Sequence, residues 1–152
     1  MRKTQNIKYW TEFCDYLKRR GSQLHSPMPT SKEMHHIYFR IGTGCVVRAR
    51  QVIKPSTEIT VAFVMEKTAK LYFHSLKAQQ AEIEEEFGEP LQWWFLEWKQ
   101  ESHISLKRVD MDPRDEQDWS NQHEWIASKL ERLNDVFRPH IKRLTRFKEQ
   151  GE

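Results

Sequence analysis

The sequence predicts an α+β fold: a five-stranded, mainly antiparallel sheet packed with three helices, in the order α-β-β-β-α-β-β-α. Short runs with period-two alternation recur between residues 36 and 66, separated by "GTG" and "KPS". Helical periodicity brackets these runs, first near the N-terminus, then from 66 to 88, then from 112 onward. The 152 residues suit a single domain, 1–152, with a core large enough to need no metal or disulfide support.

The first helix is read from "YWTEFCDYLKRRG", where Trp10, Phe13 and Leu17 share a face and Gly21 suits a left-handed stop. A loop, "SQLHSPMPTSKE", follows. "HHIYFRIGTGCVVRARQVI" reads as a hairpin: Ile37, Phe39 and Ile41, then Cys45, Val47 and Ala49, point to the core. "TEITVAFVM" adds a third strand through Ile59, Val61 and Phe63. "EKTAKLYFHSLKAQQAEIEEEFG" predicts one helix with Ala69, Phe73, Leu76, Ile83 and Phe87 inward and Gly88 as its stop. Its acidic run, Glu82, Glu84, Glu85 and Glu86, reads as a solvated face.

"PLQWWFLEWK" and "SHISLKRV" are the fourth and fifth strands. In the fourth, Leu91, Trp93 and Phe95 point one way and Trp94, Leu96 and Trp98 the other. A strand apolar on both sides is expected to be central and buried on both, or to present a sticky face. Trp94, Leu96 and Trp98 are therefore candidate partner-interface residues. "DMDPRDEQDW" predicts a helix start, with Asp112 as cap and Pro113 in the first turn. Trp119, Ile126, Leu130, Leu133 and Phe137 face inward from that helix. Pro139 is expected to kink or interrupt it, and the basic tail from about 139, with Arg138, Lys142, Arg143, Arg146 and Lys148, reads as a second nucleic-acid candidate or as a solvated terminal helix.

Six Trp, eight Phe and four Tyr supply enough apolar area to exclude a disordered chain. A formal charge of +3 is too small to argue for nucleic acid by itself. Cys14 and Cys45 have no metal or redox spacing and read as free thiols of a cytoplasmic protein. No apolar run resembles a signal peptide or spans a bilayer, so no membrane association is expected. His35 and His36 are adjacent and the other histidines scattered, which predicts no metal site. "GTG" sits in a hairpin and lacks the longer glycine pattern of a phosphate loop, so no cofactor is expected.

Helix, three-strand meander, helix, strand is also similar to the core of PD-(D/E)XK nucleases. That chemistry needs an acid on one strand and an acid-x-Lys on the next to hold Mg²⁺ and stabilise charge near the attacking water. "CVVRARQV" has no acid, and the strand-borne match, Glu97-Trp98-Lys99, follows the second helix. Glu97 and Lys99 are thus the weak catalytic candidates in a chain expected not to be an enzyme. A stronger constellation lies opposite the core face: Tyr38, Arg40, Arg48 and Arg50, joined by Lys107 if Ile104 and Leu106 point inward. Guanidinium groups pair with phosphate oxygens and a ring stacks on a base, so these are candidate nucleic-acid-binding residues.

Four stretches, "YWTEFCDYL", "AKLYFHSLKAQQAEIEEEFGEPLQW", "ISLKRVDMDPRDEQDW" and "HEWIASKLERLNDVFRPHIKRL", resemble an uncharacterised prokaryotic domain-of-unknown-function family from about Tyr9 to Leu144. The resemblance implies a module often found at the C-terminus of proteins whose N-terminal part is restriction-nuclease-like. It supplies no catalytic residues; Trp10, Phe73, Leu76, Ile83, Gly88, Trp93, Trp125, Phe137 and Pro139 carry it and read as structural. The expectation is a non-enzymatic interaction module that engages nucleic acid or a partner protein in a restriction or defence setting. A degenerate or metal-dependent nuclease and a homodimer joined through Trp94, Leu96 and Trp98 are the alternatives.

Overall fold

The computed structural model describes residues 2–28 and 35–151, with side chains as far as Arg146. Five strands, β1 (His36–Gly42), β2 (Cys45–Val52), β3 (Glu58–Glu66), β4 (Gln92–Phe95) and β5 (Glu101–Arg108), form one sheet. Its spatial order is β1-β2-β3-β5-β4, and every neighbouring pair is antiparallel. The helices are α1 (Lys3–Arg19), α2 (Tyr72–Lys77), α3 (Gln80–Phe87) and α4 (Trp119–Gly151).

The alternation of the strands decides the layers. Inward residues of β1, β2, β3 and β5 join Trp10, Phe13, Leu76, Phe87, Leu130 and Phe137 from the helices in one core. Phe63 on the central strand stacks on Phe137 of α4, with centroids 4.4 Å apart and planes 8° apart. The other sheet face carries only a small cluster of Val46, Ala62 and Val64, with Met28 and Tyr38 against it. The result is two layers, with helices on one face of the sheet and, among the described residues, no helix on the opposite face.

The β1–β2 turn requires glycine at one position. Gly44 has φ +72, and a Cβ there would lie 3.0 Å from the Glu66 carbonyl oxygen and from the Ala69 side chain. That close approach lets the 3₁₀ turn Lys67–Leu71 settle on the hairpin end, where the Glu66 amide donates to the Gly44 carbonyl at 2.8 Å.

Several expectations are corrected. The helix expected over 66–88 is a 3₁₀ turn followed by α2 and α3, with Gln79 at φ −110 between them. No Gly or Pro announces that break. It keeps Phe73 against Trp93 and Phe95 while α3 lies along α4, where the Arg132 guanidinium donates to the Phe87 carbonyl at 3.0 Å. Helix α4 starts at Trp119 rather than at Asp112–Pro113. Asp112 accepts from the Arg114 amide at 2.9 Å, and the Trp119 indole donates to the Pro113 carbonyl at 2.7 Å, so residues 112–115 are a tied loop, and a 3₁₀ turn, Glu116–Asp118, leads into α4.

Pro139 does not interrupt α4, which is continuous to Gly151. One lost backbone bond is outweighed where Phe137, His140 and Ile141 are all buried around it. The basic tail therefore begins as part of this helix, and the Lys148 side chain lies outside the described residues. The same holds for residues 29–33 of the expected loop.

Candidate nucleic-acid interface on the open sheet face

Register sets out the open face in rows across the strands. His36 pairs with Arg50, Arg50 with Thr60, and Thr60 with Lys107. The next row runs Tyr38, Arg48, Ala62, Ser105 and Gln92; the next runs Arg40, Val46, Val64, His103 and Trp94. The structure thus brings Tyr38, Arg40, Arg48, Arg50 and Lys107 onto one surface. Outward positions on the central strand are small, Thr60, Ala62 and Val64; Ala62 and Val64 are buried beneath taller neighbours, among them Met28 and Tyr38.

Two shallow concavities result. One of about 410 Å³ is lined by His36, Tyr38, Arg48, Arg50, Gln51 and Lys54, among others. The second, of about 230 Å³, lies between Arg48 and Arg50 on one side and Trp94, Leu96, Lys99 and His103 on the other. Gln51 is buried, and among the described residues its amide nitrogen has no hydrogen-bond partner. The cations differ in commitment. Arg48 pairs with Glu101 at 3.2 Å and Lys107 with Glu58 at 3.3 Å. Among the described residues Arg40 and Arg50 pair with no carboxylate, which leaves their charge for an external anion.

Two histidines that the sequence reading did not select belong to the same face. His36 packs on Tyr38 with ring centroids 4.6 Å apart, and His103 lies 6.2 Å from Trp94. Burial, and then the Arg48 charge, lowers the pKa of each imidazole below its ordinary value. The strand alternation that selected Tyr38 and Lys107 was the signal that finds them.

The aromatic stretch is not a central strand buried on both sides. Strand β4 is an edge strand of four residues, and it ends at Phe95. Trp93 and Phe95 turn inward and are half-buried, whereas Trp94 on the open face is 48% exposed. Leu96 and Trp98 leave the strand in a tight turn, and Trp98 is 77% exposed. Lys70 holds this turn: its ammonium donates to the carbonyls of Leu96 at 2.8 Å and Glu97 at 3.1 Å and to that of Lys99, over the Phe95 ring. A lysine satisfying three carbonyls ends the strand where sequence alternation alone would continue it.

Glu84 is a second correction, since it is not a purely solvated member of the acidic run. Its carboxylate accepts from the Leu91 amide at 3.1 Å, the Trp93 indole at 3.2 Å and Gln80 at 3.3 Å. Burial works to raise its pKa, but these donors and Lys77 outweigh it and hold the carboxyl below its ordinary range. Glu84 thereby ties α3 to the start of β4. We expect Glu84→Ala to lower stability by about 1–3 kcal/mol, because the Trp93 and Leu91 donors lose their acceptor; chemical denaturation measures it.

Glu97 and Lys99 both lie exposed in the β4–β5 turn, well past β3, which ends at Glu66, and not on the adjoining strands of the meander. Among the described residues no three His, Cys, Asp or Glu side chains are grouped to hold a metal ion. Cys14 and Cys45 are free thiols; burial raises both, and the Cys45 thiol is pushed up to about 12. Among the described residues no helix is long and apolar enough to cross a membrane.

Fold and surface together define a two-layer α+β module with one open sheet face that is basic at one side and aromatic at the other. The chain belongs to the family described as Domain of unknown function (DUF4268), whose model matches residues 5–141. No curated protein matches the chain, and no solved structure does.

Proposed function

We propose that this chain is a non-enzymatic, cytoplasmic binding module that engages nucleic acid through its open sheet face. The observation that carries this is the cluster of Tyr38, Arg48 and Arg50 in adjacent rows of one sheet face, with Arg40 and Arg50 free of carboxylate partners among the described residues. Phosphate backbones reward such groups by counterion release, and the flanking rings offer base contacts. Two unpaired thiols support a reducing compartment. The restriction or defence setting implied by the resemblance is part of this proposal.

The test is binding of labelled nucleic acid at several salt concentrations. Affinity should fall as salt rises, and Arg50→Ala should lower the slope of log affinity against log salt by about one. Arg50 is the cleaner probe than Arg48, whose removal also strands Glu101. Absence of binding at low salt would remove the reading and leave a protein partner as the target of the same surface.

A homodimer is a second reading, favoured by Trp94 and Trp98, which stand exposed on and just beyond an edge strand. Light scattering should then give twice the monomer mass of 18.4 kDa, and Trp94→Glu should return it to the monomer.

A further inference from the structure

The width of the open face and the placement of its rings bear on which form of nucleic acid it takes, an inference that rests on the nucleic-acid reading above. Strands lie about 4.8 Å apart. Tyr38 on β1 and Trp94 on β4 are therefore separated by four strand spacings, about 19 Å, across the sheet. A face of that width does not enter a major groove about 12 Å wide. Laid on an undistorted duplex it would meet sugar and phosphate first, and neither ring would stack on a base.

We propose that the ligand is single-stranded nucleic acid, laid across the strands with bases on Tyr38 and Trp94 and phosphates over the groove between β2 and β5. The arrangement has three parts. Each end carries a ring pair, His36 with Tyr38 and His103 with Trp94. Arg50 and Arg48 stand between them on β2. Above the buried Ala62 and Val64, a concavity lined by Arg48, Arg50, Trp94, Lys99, Glu101 and His103 gives a backbone a path from β2 to β4. Trp94 gives up nothing to the protein core, since it is half exposed while its neighbours Trp93 and Phe95 do the packing. The lowered pKa of His36 and His103 leaves both imidazoles neutral at pH 7, so they add ring surface rather than charge at the two ends. Stacking of this kind tolerates any base, because every base has a π-face.

The experiment compares a short labelled oligothymidylate, the matching oligouridylate and a duplex of the same length by fluorescence anisotropy, using the full chain. The single strands should bind more tightly than the duplex. Trp94→Ala should weaken single-strand binding about five-fold or more, with Trp94→Phe restoring most of it and duplex binding unchanged by either. The oligothymidylate and oligouridylate arms separate DNA from RNA. Trp94 is exposed, so circular dichroism of Trp94→Ala should match the parent. Tighter duplex binding, or equal loss on both forms, would overturn the single-strand assignment and leave nucleic-acid binding standing. Binding of neither form would remove both.

Discussion

Phe137→Ala should destabilise the protein by about 3–5 kcal/mol, the range for deleting a buried phenylalanine. Phe137 is fully buried and stacked flat on Phe63, itself fully buried on the central strand. The substitution removes transfer energy, leaves a cavity between sheet and α4, and loses the ring pair, worth about 0.5–1.5 kcal/mol beyond area. Small domains hold about 5–15 kcal/mol in all, so the melting temperature should fall by roughly 6–20 °C. Phe137→Leu keeps most of the volume and should cost far less. A loss below about 1 kcal/mol for the alanine variant would show that the helical layer docks mainly through other contacts.

The protein should also lose stability in mild acid through His123. This imidazole is buried between Tyr9, Phe13 and Trp119, with ring centroids 4.6, 5.5 and 6.2 Å away, and among the described residues its Nε2 has no hydrogen-bond partner. Burial pushes its pKa down to about 4 from 6.5, against a smaller opposing effect of the Tyr9 backbone. Between those values the unfolded chain holds a proton that the folded chain does not, so stability falls as pH falls. The contribution is fully present above about pH 6.5 and lost as pH drops through about 4. The swing is about 3 kcal/mol at 1.36 kcal/mol for each pKa unit. His36, His103 and His140 are shifted in the same direction. Comparison with His123→Leu therefore isolates this one group: the variant should show a flatter slope of unfolding free energy from pH 7 to 4.5. An unchanged slope would mean that His123 is reached by water in the folded state.

What the sequence determined is what period and chemistry dictate locally. Alternation at Ile37, Phe39, Cys45, Val47, Ile59 and Val61 selected the core face of the meander, and by subtraction the face carrying Tyr38, Arg40, Arg48 and Arg50. Helical spacing likewise placed Trp10, Phe13, Leu130 and Phe137 inward. These signals survive folding because a side chain's direction along a strand or helix is fixed by the backbone repeat.

What only the tertiary structure decided concerns partners distant in sequence. Trp94 was readable as apolar, but its exposure depends on β4 lying at the sheet edge, outside β5. The end of that strand is set by Lys70, 26 residues away from Leu96, and its anchorage by Glu84. The commitment of Arg48 to Glu101 and, among the described residues, the lack of a carboxylate for Arg50 are likewise products of cross-strand register. A residue's neighbours across a sheet follow from strand order. Strand order is set by which apolar faces the whole chain can bury at once, and no local window of sequence contains that information.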